Sequence, residues 1–107
     1  MGLRIGQSLH FPVEALADPF LEPWALGRWD ELVPRTEKSL QEAKLNGDRP
    51  GTADILTAMA FLYLQTNRWA DAVECLREEI QIRERIGDLH GCEEAGARLL
   101  EVMFHEP

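Results

Sequence analysis

The 107-residue sequence predicts an all-α protein of five helices, each antiparallel to the next, stacked as a short α-solenoid of about two and a half helix–turn–helix units. Three observations predict it. The chain matches itself at an offset of 40: Arg28-Trp29 recurs as Arg68-Trp69, Gly47-Asp48-x-x-Gly51 recurs as Gly87-Asp88-x-x-Gly91, and Leu16/Leu56, Val33/Val73 and Gln41/Gln81 share the offset. A fixed period of about 20 to 50 residues marks stacked units that each bury an apolar face against the next. Apolar residues recur at helical spacing, with no convincing strand, and the segments are joined by short turns that force neighbouring helices to run antiparallel.

The elements follow in order. Residues 1–13 (MGLRIGQSLHFPV) read as an extended arm ahead of a helical domain over 14–107, whose units are 14–51, 52–91 and a half unit at 92–107. Asp18-Pro19 pairs an N-cap with proline at the first helical position, starting a short helix that runs to about Leu26 and is distorted by Pro23. Gly27-Arg28 turns into a second helix over about 29–46, with Pro34 making its start irregular or kinked. Asn46-Gly47 ends it, glycine being suited to a left-handed cap. Asp48-Arg49-Pro50-Gly51 reads as a turn, and Thr52 as the N-cap of a third helix over about 53–66. That helix is apolar nearly all round (Ile55, Leu56, Met59, Ala60, Phe61, Leu62, Tyr63, Leu64), which makes it central. After Thr66-Asn67-Arg68, a fourth helix over about 69–86 sets Trp69, Ala72, Val73, Leu76 and Ile80 on one face. Its other face is charged, with Glu79 and Arg83 forming a favourable i,i+4 pair. Gly87-Asp88 ends it, and a fifth helix over about 90–104 carries Ala95, Leu99, Val102 and Met103.

Composition narrows the function classes. The net charge of −8 divides into −2 over residues 1–53 and −6 over 54–107, with no Lys/Arg stripe. Such a surface repels phosphate backbones, so nucleic acid is disfavoured and a basic or apolar protein partner is favoured. No stretch approaches the roughly 20 apolar residues of a membrane span, so no membrane partner is expected. The opening stretch MGLRIGQSLHFPVEA lacks the basic-then-apolar order of a signal peptide, so a cytoplasmic location is expected. Cys75 and Cys92 form no disulfide framework and read as free, partly buried thiols.

The helix pair over 53–86 resembles a tetratricopeptide repeat. Leu56, Met59-Ala60, Tyr63, Asn67, Trp69, Ala72, Leu76 and Ile80 stand at that family's large, large-small, aromatic, turn, aromatic, small, large and large positions. Ala60 and Ala72 would let two helices approach closely, with Tyr63 and Trp69 filling the wedge at the open end. In the first unit Phe20 and Leu32 replace the small residues, as in a terminal cap; the third supplies only its first helix, with Gly96, Leu99-Leu100 and Met103 at the matching places. The period of 40 exceeds the family's usual spacing of about 34, as in longer-helix variants with a Gly-Asp turn that often occur in bacterial signalling ATPases and regulators. HEAT and armadillo repeats share the longer period, but the small-residue pairing favours the tetratricopeptide reading. The resemblance implies a right-handed solenoid and a non-catalytic protein-binding module.

It also implies where a partner would sit. The first helix of each unit would line a concave groove: Leu21 and Trp24 from the first, Asp54, Thr57, Phe61, Leu64 and Gln65 from the second, and Glu94, Arg98, Glu101 and Phe104 from the third. The result is an apolar floor with an acidic flank, suited to a docked peptide or helix. Alternatively Phe61 and Leu64 are core, covered by the N-terminal arm or by a second copy. Two and a half units fall short of the three or so a stable solenoid needs, so the chain is expected to form a homo-oligomer. The carboxylate-binding Lys, Asn and Arg of some family members are not matched: Ala17, Leu21, Thr57, Phe61, Ala97 and Glu101 stand at those positions, and only Arg98 nearby is basic.

Enzyme, metal and cofactor readings find no support in the residues. Trp29 and Trp69 recur at the turn into each second helix and read as packing. His90-x-Cys92 has no second pair to complete a metal site, and Gly47-x-x-x-Gly51 lacks the Lys-Ser/Thr of a phosphate loop. Glu78-Glu79 and Glu93-Glu94 point about 100° apart and read as solvated faces. A second function class stays open: a sensor or regulatory fragment, derived from a larger protein, that binds a small apolar ligand between helices with Trp24 and Tyr63 as walls.

Overall fold

The computed structural model describes residues 27–105. They form four helices, α1 (Trp29–Leu45), α2 (Arg49–Gln65), α3 (Trp69–Arg85) and α4 (Leu89–His105), with no strand among the described residues. The sequence predicts five helices; the first, ending near Leu26, and the arm over 1–13 lie outside the described residues. No helix among the described residues is long and apolar enough to cross a membrane.

Every helix is 17 residues long, and the four starts at Trp29, Arg49, Trp69 and Leu89 are evenly spaced. The sequence period, which carries Trp29 onto Trp69, therefore contains a structural half-period. The turns explain it. One residue in each lies in the left-handed region: Gly27 (φ 71°), Gly47 (69°), Asn67 (64°) and Gly87 (77°). Glycine adopts that conformation without steric penalty, and asparagine is among the few other residues that tolerate it. The half-period is hidden in the sequence because two kinds of turn alternate. In one, tryptophan opens the next helix; the Trp69 indole N–H donates to Asn67 Oδ1 at 2.7 Å. In the other, aspartate caps it.

That aspartate cap corrects the expected start of α2. Arg49-Pro50-Gly51 is its first helical turn, and Asp48, not Thr52, is the N-cap. The Asp48 carboxylate accepts the Gly51 backbone N–H at 3.0 Å, and the Asp88 carboxylate accepts that of Gly91 at 2.9 Å. A Cβ at Gly51 or Gly91 would collide with the capping carboxylate, which explains the repeated Gly-Asp-x-x-Gly motif. The proline is tolerated because the first helical amides need no intrahelical acceptor. Asp48→Ala should cost about 1 kcal/mol of stability in urea unfolding; an unchanged midpoint would show that the cap contributes nothing. Pro34 also falls inside a helix, and α1 runs continuously from Trp29 to Leu45 through it.

The helices pack consecutively, α1 on α2, α2 on α3 and α3 on α4. Asp54 near the start of α2 meets Arg83 near the end of α3, as antiparallel packing requires. The core gathers Leu32 of α1, Met59, Ala60, Leu62, Tyr63 and Leu64 of α2, Ala72 and Leu76 of α3, and Val102 of α4, with Trp29 and Trp69 packed against it. Ala60 and Ala72 are both buried in this core. As expected of a central helix, α2 has 11 of its 17 residues buried. Tyr63 lies beneath the Arg68 guanidinium, 4.4 Å from the ring centre, and its hydroxyl donates to Glu37 Oε1 at 3.4 Å.

Candidate functional site

Three of the positions expected to line a groove, Asp54 of α2 and Glu94 and Arg98 of α4, meet at a polar seam whose centre is on α3. Ala72, Leu76, Glu79 and Arg83 follow one another at helical spacing, so the stripe that begins apolar continues as a buried carboxylate and a guanidinium. This corrects the solvated reading of Glu79, which is 0% exposed. Its Oε2 accepts from Arg83 Nε at 2.7 Å and lies 3.7 Å from Arg98 Nη1 on α4. Its Oε1 is buried with no hydrogen-bond partner among the described residues. The neighbouring Glu78 instead pairs with Lys44 of α1 at 3.1 Å, Lys44 being exposed and Glu78 intermediate.

Arg83 is the hub. Its Nη1 donates to Asp88 at 2.9 Å and its Nη2 to Asp54 at 3.2 Å, so one guanidinium ties α2, α3 and the turn before α4 together. Burial alone would lower the Arg83 guanidinium, but the hydrogen bonds to Glu79, Asp54 and Asp88 outweigh it and hold it above its ordinary value. The planar fork of arginine suits this three-way role, which a lysine point charge would not fill. Arg98 is shared between Glu79 and Glu94, the latter at 3.8 Å. Asp54 and Glu94, related by the sequence period, therefore carry matching carboxylates at equivalent places on α2 and α4.

The Asp88 carboxyl is held below its ordinary value, first by the Gly91 N–H and then by Arg83. A depressed folded-state pKa gives stabilisation that is complete above the unfolded value, near pH 4, and is lost as pH falls through the folded value. Asp88→Asn should therefore flatten the decline of the urea midpoint below about pH 4. An acid limb as steep as that of the wild type would remove Asp88 from this role.

The remaining groove positions are distributed as follows. Asp54 is well exposed, Arg98 is mostly covered by its ion pairs, and Gln65 and Glu101 are intermediate. Phe104 is exposed. Thr57, Phe61 and Leu64 are 5%, 1% and 8% exposed; in the described chain they lie beneath the surface and do not form an open apolar floor. The Thr57 hydroxyl turns back to the Ala53 carbonyl at 3.1 Å. Leu21 and Trp24 lie outside the described residues. Gln65 also lines a shallow cleft of about 490 Å³ between the α2–α3 turn and the start of α1, whose walls include Arg28, Trp29 and Asn67.

Cys75 and Cys92 are free and half-buried, and burial pushes the Cys75 thiol up to about 12, far from a reactive thiolate. His90 pairs with Glu94 at 3.2 Å. No cluster of three metal-ligating side chains occurs among the described residues.

Sequence reasoning expected the Glu79–Arg83 pair, which is present at 2.7 Å, but missed its burial and the link to Arg98 because it grouped Glu79 with its neighbour and not with its helix phase. Two signals mark it. Glu79 and Arg83 continue the Ala72–Leu76 stripe, and the sequence period carries Ala43, which is itself buried, onto Arg83.

Comparison with known proteins bears on these residues. A family model described as tetratricopeptide repeat matches residues 23–85, more than half of the chain. No curated protein and no solved structure matches it.

Proposed function

Because the chain belongs to the tetratricopeptide repeat family, whose repeats generally mediate protein–protein interaction, we propose that the side of α2 and α4 carrying Asp54, Glu94 and Glu101 binds a basic segment of a protein partner. The carrying observation is the repeated carboxylate. Asp54 and Glu94 recur at one repeat position, and each offers a largely solvent-facing acid. The two nearby cations, Arg83 and Arg98, are already committed to Glu79, Asp88 and these same acids, so they offer little to an anionic partner. Acid on this rim agrees in sign with the surplus over residues 54–107. Charges so placed steer association and select partners more than they add affinity.

A fluorescein-labelled peptide with lysines on one helical face and leucines on the other is a suitable probe. It should bind in anisotropy titrations, and added salt should weaken the binding. Combined Asp54→Lys, Glu94→Lys and Glu101→Lys should weaken it at least about tenfold, with circular dichroism confirming that the helices persist. Equal binding of a glutamate-for-lysine peptide, or no response to charge reversal on an intact fold, would sink the reading.

A further inference from the structure

The chain has two asparagines, Asn46 and Asn67, one in each of two successive turns between helices. Their settings differ. The Asn67 side chain accepts the Trp69 indole N–H at 2.7 Å, and the next residue is Arg68, whose backbone N–H is held by the Tyr63 carbonyl at 2.7 Å. Asn46 is followed by Gly47, and its side chain makes no hydrogen bond among the described residues. The Gly47 N–H reaches the Lys44 carbonyl at a longer 3.2 Å. Residues 44–50 are all exposed, the longest such run among the described residues. The equivalent turn before α4 is braced, because Arg83 donates to Asp88 at 2.9 Å and Ile86 and Asp88 are partly covered. The sequence period puts Ala43 where Arg83 stands, so Asp48 has no arginine partner among the described residues.

From this contrast we infer that Asn46 is a site of spontaneous deamidation in the folded chain, whereas Asn67 is protected. The Gly47 backbone nitrogen attacks Asn46 Cγ and forms the N–Cγ bond of a five-membered succinimide. The Cγ–Nδ2 bond breaks, and ammonia leaves with the proton given up by the Gly47 amide. Water then opens the ring at one of its two carbonyls. Opening at Cγ gives aspartate, and opening at the main-chain carbonyl gives isoaspartate, in which the backbone runs through Cγ. Glycine leaves the approach of its nitrogen unobstructed, which the Arg68 side chain does not. In the native turn the ψ of −3° at Asn46 holds the Gly47 nitrogen away from Cγ, so ring closure follows opening of the last turn of α1. Exposed and weakly braced backbone is where such opening costs least. The isoaspartate adds a methylene to the main chain between Leu45 and Gly47 and sets a new carboxylate at the negative end of the α1 dipole. Both loosen the junction of α1 with α2 and draw Asp48 away from the Gly51 N–H. The inference is independent of the partner reading.

Peptide mass spectrometry on the full chain, incubated folded in mildly alkaline buffer and sampled over weeks, tests this. The peptide holding Asn46 should gain the mass that separates OH from NH2. The product should be a mixture of aspartate and isoaspartate, told apart by electron-transfer fragmentation. Conversion at Asn46 should lead that at Asn67 by at least about tenfold, since opening free energies differ widely between braced and frayed turns. In urea both turns are open, so the lead should shrink as Asn67 begins to convert. The aged wild type should show a lowered urea midpoint. Asn46→Gln, whose longer side chain would have to close a six-membered ring, should stay unmodified there and keep its midpoint through the same treatment. An unmodified Asn46 in the folded chain, equal conversion of Asn67, aspartate without isoaspartate, or an aged fraction with an unchanged midpoint would each overturn the inference.

Discussion

Substituting Phe61 and Leu64 together by glutamate is expected to abolish the cooperative thermal transition of the chain, read by far-UV circular dichroism, and not merely to weaken partner binding on an intact scaffold. Both side chains are buried in the central helix, Phe61 at 1% and Leu64 at 8% exposure. Truncating a buried phenylalanine alone costs about 3–5 kcal/mol. A carboxylate in its place adds the cost of desolvating an unpaired charge, which is several kcal/mol more unless the group neutralises. A domain of this size has only about 5–15 kcal/mol to lose. A double variant that melts cooperatively within a few degrees of the wild type would place these residues on the surface after all and return them to the partner groove.

The second large effect centres on Glu79. Glu79→Ala should destabilise the chain by about 3–5 kcal/mol in urea unfolding, because it leaves Arg83 and Arg98 partly buried without their shared acceptor. Arg83 keeps Asp54 and Asp88, and Arg98 keeps Glu94, so the loss should lie toward the lower end of that range. Glu79→Gln should cost less, since it preserves shape and one hydrogen bond. The two effects of Glu79→Ala and Arg83→Ala should add to more than the double variant loses, with a coupling of about 1–3 kcal/mol. Strict additivity would mean that the 2.7 Å contact carries no net interaction. The more exposed pair of Lys44 with Glu78 offers the contrast and should be worth less than about 1 kcal/mol.

The helical architecture was legible in residue types alone. The apolar run from Ile55 to Leu64 announces a helix buried on all sides, and α2 is that helix. Gly47 and Gly87 end helices in the left-handed conformation expected of them. The start of α2 was less legible because Pro50 and Gly51 usually signal a turn, whereas here the proline sits at the front of the helix and the glycine leaves room for the Asp48 carboxylate. The site was only partly legible. Asp54, Arg98 and Glu101 follow from helix phase on α2 and α4, but the groups that tie the seam together, Glu79 and Arg83, come from the backing helix.

By itself the sequence determined the helices, their order and the repeat to which they belong, because helix periodicity, turn glycines and small-residue pairs are local patterns that residue identity carries. Only the tertiary structure decided which faces of those helices are closed. Burial depends on which neighbour is present, and α2 and α4 occupy the same repeat position with opposite outcomes: Leu56, Ala60 and Tyr63 are inside, whereas Leu100 and Met103 stand in solvent. The same reason turned Glu79 from a surface charge into the buried centre of the seam. Arg83 meets it from the same helix, whereas Arg98, remote in sequence, is brought close only when α4 packs on α3.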